Sequence, residues 1–272
     1  MTAINTNVAA LNARLFTLGA NRSQMQAMER LSSGLRVNSA ADDAAGLAVA
    51  GKMESQLRGI NMSIRNAQDG VGLIQTAESG VNEIRNMVLR IRELAVQMAN
   101  GIYENTPDRS NAQLEVTALL NQVTLIAENT RFNDVAVVDG SFTGVTIQAG
   151  NTTAETITLS FVDMASSGLS IHAATVATQS DAKVAIGTMD TALQTISQEQ
   201  AKFGSLINRL DYSISNQSRA SVMTEQALGR IMDADFATES TALSRSQILN
   251  QAATSMLAQA NQSKSLLLQL IQ

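Results

Sequence analysis

The chain has 272 residues, of which 16% are charged, with a formal net charge of −5, one Pro, 12 Met and no Cys or Trp. That acidic balance leaves no concentrated basic face for phosphates, which argues against a nucleic-acid binder. The missing Cys excludes a disulfide framework and thiolate metal sites, and no apolar run reaches the ~20 residues that cross a bilayer, so no membrane insertion is expected.

Asn5, Asn7, Asn12 and Arg14 interrupt the apolar N-terminus, which therefore lacks the continuous core of a cleaved secretory signal. Residues 3–31 carry a helical seam at Ile4, Val8, Leu11, Leu15 and Leu18, continued by Met25, Met28 and Leu31. Gly34, Asn38 and Ser39 then break the pattern, and Asp42 or Asp43 suits the cap of the next helix. The two Asp have no third ligand nearby, so they do not predict a metal site.

The longest element follows. Apolar residues fall at Met53, Leu57, Ile60, Ile64, Ala67, Val71 and Ile74, then, after a slip of one residue, from Ala77 through Val81, Ile84, Val88, Ile91 and Ala95 to Met98. Steps of three and four make this a heptad-like seam on a helix about 70 Å long, which needs a partner to cover it. Asn100-Gly101 stops that helix. Thr106-Pro107-Asp108 reads as the cap and first turn of the next, marked by Val116, Leu119, Leu120, Val123 and Ile126. The short connection folds this helix back antiparallel.

Residues 131–178 change character. Val145-Thr146-Ile147 and the alternating run Thr156 to Phe161 flank Gly150 to Thr153 and predict a β-hairpin. A second rod follows at Ile186, Met189, Leu193, Ile196, Phe203, Ile207, Leu210 and Ile214, interrupted at Gln200. The last forty residues carry a seam at Leu249, Ala253, Met256, Ala260, Ser263, Leu267 and Ile271. Residues 1–40 hold four Arg against Glu29, whereas Asp233, Asp235 and Glu239 outnumber Arg245 and Lys264 at the other end, so the ends favour pairing. The fold class is therefore mainly α: an elongated bundle of long antiparallel helices with coiled-coil-like seams and a small β-hairpin region at one end.

Residues able to carry catalysis are absent from the pattern. His172 is the only His, in a Ser- and Gly-flanked segment without partners at a useful spacing. There is no phosphate-binding glycine loop and no His-Glu-x-x-His motif. No enzyme, cofactor or metal is expected.

Several long segments closely resemble bacterial flagellins. They are Ile4 to Asn12, "LSSGLRVNSAADDAAGLAV" from Leu31, "IRNAQDGVGLIQTAESGVNEI" from Ile64, "RIRELAVQMANG" from Arg90, "ENTRFN" from Glu128 and "ILNQAATSMLAQANQ" from Ile248. The likeness covers residues 1–133 and about 180–272 in the family's order. The surface domains that many flagellins insert in mid-chain are missing, leaving the region 134–178.

The resemblance implies a secreted structural subunit of the extracellular flagellar filament, a homopolymer serving swimming motility. It implies a terminal paired-helix domain of residues 1–42 with 233–272 at the filament core, and a rod domain of residues 43–232. Ile4, Val8, Leu11, Leu15, Leu18, Leu249, Met256, Leu267 and Ile271 would then make the core contacts between subunits. Further partners implied are the flagellar type III export apparatus, an export chaperone, the filament cap and the hook-associated proteins. The resemblance also implies a surface of Arg90, Glu93, Leu94 and Glu115 that touches neighbouring subunits and is read by the host innate immune flagellin receptor. Alternatives are a hook–filament junction protein of the same fold or a cytosolic coiled-coil scaffold.

Overall fold

The computed structural model describes residues 6–269. In chain order they form α1 (Val8–Ser33), α2 (Ala44–Met98), α3 (Ser110–Asn129), β1 (Arg131–Phe132), β2 (Val135–Ala136), β3 (Val145–Gln148), β4 (Thr156–Leu159), α4 (Gln179–Met232) and α5 (Phe236–Gln269). Long helices dominate, and the strands make two small antiparallel pairs. The chain divides into two compact units, Met1–Leu57 with Met223–Gln272, and Arg58–Val222. These divisions fall inside α2 and α4, whereas the resemblance to flagellins implies domains that meet after residues 42 and 232. The ends of these helices belong with the linkers, because Leu47, Ala50, Leu228 and Met232 line one cleft with Leu35.

In the unit Arg58–Val222, α2 and α4 run antiparallel in a single register. Arg92 Nε donates to Asp190 at 2.6 Å, the Gln200 amide to Asn82 at 2.6 Å and the Ser221 hydroxyl to Asn61 at 3.1 Å. The α2 seam is buried from Ile74 through Ala77, Val81, Ile84, Val88, Ile91 and Ala95 to Met98. On α4 the buried face is turned slightly from the expected one. Met189, Ile196, Phe203 and Leu210 are buried, joined by Ala182, Ala185, Ala192 and Leu206, while Ile186, Leu193, Ile207 and Ile214 are half-buried.

The polar break in that face is Glu199, not Gln200. Its carboxylate is buried, accepts from the Val162 amide at 3.4 Å and pairs with Lys202 Nζ at 3.3 Å. Lys202 also donates to the Ser160 carbonyl, so the chain after β4 is strapped to α4. Aromatic packing reinforces the strap. Phe161 stacks on Phe142 at 5.0 Å and meets Phe203 edge-on at 4.9 Å.

The α2–α3 connection departs from its sequence pattern. Thr106 is extended, a single wide turn spans Asn105–Arg109, and α3 begins only at Ser110. The side chain of Arg109 is buried there and donates to the carbonyls of Met98, Asn100 and Tyr103 and to the Asn105 side chain. A guanidinium at this place satisfies carbonyls that the end of α2 leaves without helical partners. Helix α3 then runs back along α2. At the far end of this contact a Cβ on Gly80 would lie 2.5 Å from Thr130 Oγ1, so only glycine permits the approach.

The hairpin pairs Val145 with Leu159 and Gln148 with Thr156. Ile157 and Leu159 are buried while Thr156 and Thr158 are exposed, as period-two alternation requires. It lies at the end of the unit where α2 enters and α4 leaves, since Asn66 donates to the Gln148 carbonyl and Ser213 to that of Ala149. The shorter pair β1–β2, two residues a strand, has no counterpart in the sequence pattern.

Candidate assembly surface

The other unit is built by α1 and α5. Asn7 caps α1 through its side chain, which accepts from the Ala10 amide at 3.1 Å. Gly34 ends the helix in the left-handed conformation, φ 72°, donating its N–H to the Arg30 carbonyl. Beyond it the linkers are stitched together: the Arg36 amide donates to the Met232 carbonyl at 2.6 Å and the Ala234 amide to the Gly34 carbonyl at 2.9 Å. The two Asp of the first linker have distinct roles. Asp43 caps α2 by accepting from the Gly46 amide at 2.8 Å, and Asp42 accepts from the amides of Asn38 and Ser39 and the Ser39 hydroxyl. The Ser39 amide and hydroxyl hold the Asp42 carboxyl below its usual value.

Helices α1 and α5 pack antiparallel on small side chains. The buried residues of α1 are Ala13, Ala20 and Ala27; those of α5 are Glu239, Ser246, Ala253 and Ala260. Both sets repeat every seven residues, the spacing of a two-helix seam. Alanine lets the backbones come close, and polar contacts fix the register. The Asn7 amide donates to the Ala260 carbonyl at 3.0 Å, Asn250 donates to Asn21, and Arg30 pairs with Glu239 at 2.9 Å. The Arg30 Nε finds no partner among the described residues.

The large apolar side chains of these helices are elsewhere. Val8, Leu11, Leu15, Leu18, Leu249 and Met256 are each 51–66% exposed. Leu11 and Leu15 stand two residues from Ala13, and Leu18 two from Ala20, which is about 200° around the helix. Thus Val8, Leu11 and Leu18 of the α1 stripe legible in the sequence face away from α5, whereas Leu15 borders a groove beside it. On α5, Leu249 and Met256 flank the seam and line a groove of about 890 Å³, with Phe16 from α1. Phe16 and Ile248, not singled out by spacing, add exposed apolar surface. Ile4, Ile271 and the side chain of Leu267 lie outside the described residues.

A second group lies on the other unit. Arg90 pairs with Glu115 at 2.9 Å and with Glu93 at 3.4 Å, and all three side chains are at least 45% exposed. Hydrogen bonding to Glu115, and its charge, raise the Arg90 pKa above its usual value. Leu94 does not join them. It is 4% exposed in the core, because it stands three residues beyond Ile91 and shares its face. Leu114, beside Glu115, is the exposed apolar residue there.

Among the described residues no group of three acidic or His side chains is placed to hold a metal ion, and no helix is long and apolar enough to cross a membrane. His172 lies exposed in a turn.

Terminal helices that pair through alanine and turn their large apolar side chains outward define a self-associating structural subunit. Comparison with known proteins gives the same class. The N-terminal helical region of bacterial flagellin matches residues 4–143, and its C-terminal helical region matches residues 186–271. A flagellin of Halalkalibacterium halodurans is 40% identical over 273 residues, covering 98% of this chain and 99% of that protein. A flagellar filament 33 kDa core protein of Treponema phagedenis is 38% identical over 290 residues, covering 98% of this chain and 99% of that one. The crystal structure of Bacillus cereus flagellin superposes with a TM-score of 0.51 at 32% identity, covering 56% of this chain and 88% of that structure.

The chain belongs to the bacterial flagellin family, as a short form. It is a self-polymerising structural subunit of the extracellular flagellar filament, and neither the hook–filament junction nor the cytosolic scaffold reading gains support.

Proposed function

We propose that α1 and α5 form the innermost layer of the filament, with Val8, Leu11, Leu15, Leu18, Leu249 and Met256 buried against neighbouring copies. Ile4, Leu267 and Ile271 continue the same spacing in the sequence. The observation that carries this reading is the face they occupy: six large apolar side chains stay more than half exposed although their helices are already paired. Each such side chain contributes roughly 1.5–3 kcal/mol when fully buried, so covering them is a strong drive to associate. The core-forming unit includes the paired termini of residues 1–42 and 233–272, and the remaining residues 43–232 form the rod.

The subunit has no catalytic step or cofactor in this reading. Membership of the family supports delivery through the flagellar type III export apparatus with an export chaperone, addition beneath the filament cap, and junction to hook-associated proteins. Arg90, Glu93 and Glu115 make a second contact between copies. In the free subunit the same charges are read by the host innate immune flagellin receptor, weakly, because Leu89 departs from the Gln of many receptor-active flagellins. Leu94, being buried, takes no part.

Seeded elongation tests the core. Leu15→Gln with Leu249→Gln should leave the circular dichroism of the subunit helical and abolish growth on filament fragments, as should truncation after Met256. Growth at the wild-type rate by both variants would refute the reading. For the second contact, Arg90→Ala or Glu115→Ala should slow elongation and weaken receptor binding together.

A further inference from the structure

The distribution of methionine over the terminal helices has a chemical consequence. Met25, Met28 and Met256, on α1 and α5, are each 52–64% exposed, while Met62 on α2 and Met223 on α4 are exposed at 48% and 65%. The buried methionines, Met98, Met164 and Met189, belong to the other unit. Thioethers are the oxidisable members of an otherwise aliphatic surface, and exposure decides which of them a soluble oxidant reaches.

We propose that Met25, Met28 and Met256 are oxidation sites that make subunit addition sensitive to peroxide-type oxidants. The step is a two-electron oxygen transfer: the thioether sulfur attacks the peroxide, takes one oxygen to become the sulfoxide, and the peroxide leaves as water. The product is a polar, chiral side chain on a surface that must be desolvated when the next copy packs against it. Burying a sulfoxide oxygen without a hydrogen-bond partner opposes that packing. Oxidation before addition therefore blocks incorporation, whereas incorporation shields the same sulfurs. Methionine sulfoxide reductase reverses the change with two electrons from a dithiol reductant, the oxygen leaving as water.

The inference rests on the assembly surface proposed above, which holds Met256 and which Met25 and Met28 continue along α1 at the helical steps of Leu11, Leu15 and Leu18, and the experiment separates the two. Full-length subunit is treated with hydrogen peroxide, cleared of oxidant, and added to untreated filament seeds. The sites are mapped by mass spectrometry in subunit and in filament. Wild-type subunit should lose seeded elongation, regain it after reductase treatment, and carry sulfoxide at Met25, Met28 and Met256 in the subunit but not in intact filament. The M25L/M28L/M256L variant keeps helix propensity and volume and should elongate with or without peroxide. Equal inhibition of this variant, or equal oxidation in subunit and filament, would overturn the oxidation inference. The M25Q/M28Q/M256Q variant tests the surface alone, without oxidant. If it fails to elongate while peroxide-treated wild type elongates normally, the surface stands and the oxidation inference falls. If it elongates normally, the surface reading itself is wrong. Sulfoxide mapping uses wild-type protein alone, so it decides the question even where a variant folds poorly.

Discussion

The two units solve the same packing problem with different side chains. In Arg58–Val222, the helices meet over Ile74, Ile84, Ile91, Met189, Ile196 and Phe203, all fully buried. In the terminal unit, α1 and α5 meet over Ala13, Ala20, Ala27, Ala253 and Ala260. At about 0.8 kcal/mol per buried methylene, each Ile position contributes roughly 2 kcal/mol more than an Ala. One unit spends its apolar surface on itself; the other leaves it exposed, and in the proposed assembly copies of the chain cover it. A filament subunit gains from this division, since the rod must be folded on its own while the termini need only be held in register.

The comparison is broken most severely by attacking the self-sufficient core. Phe203→Ala removes a ring that Phe161 meets edge-on, and should lower unfolding stability by about 3–5 kcal/mol. Urea denaturation followed by circular dichroism would measure it. A smaller loss is expected from Arg109→Ala, which strips the donor from the carbonyls of Met98, Asn100 and Tyr103. The cost should be roughly 1.5–3 kcal/mol, with faster amide exchange in the 99–105 loop. Ala20→Leu probes the other unit by overpacking its seam, at about 1–3 kcal/mol. Because α1 and α5 lie in the other compact unit, this variant should lower the subunit's helical circular dichroism at temperatures where the rod is intact, while the urea midpoint of the rod stays unchanged.

The smallest effect is in acid. Asp42 and Asp235, at the linkers of the terminal unit, are held below the usual carboxyl value by hydrogen bonds, Asp42 from Ser39 and Asp235 from the amides of Thr238 and Ala237. A depressed folded value means that the stabilisation is complete above the unfolded value of 3.8 and lost as pH falls through the lower folded one. Linker amides should therefore lose protection only below that point. In Asp42→Asn the dependence should flatten.

Much of this fold is legible in the sequence, for physical reasons that also explain the rest. A seam of Ile and Val at steps of three and four marks a buried helix face, and α2 follows it from Ile74 to Met98. The Thr156-to-Leu159 alternation marks the hairpin for the same reason. The alanine seam is hidden because periodicity is dominated by large side chains, and on α1 most of these are exposed. Glu199 is hidden because one buried charge, paired to Lys202 and to a backbone amide, leaves no periodic trace. Arg109 is hidden similarly: its partners are carbonyls, which every residue carries. Leu94 is adjacent to Glu93 in the chain, but neighbours along a helix point in different directions.

The central claim is that the terminal pair is only half covered until copies join. Hydrogen exchange on subunit and filament, compared amide by amide, tests it most directly. Amides of α1 and α5 should exchange rapidly in the subunit and become strongly protected in the filament, while α2 amides from Ile74 to Met98 stay protected in both. Equal protection of α1 and α5 in the two states would contradict it.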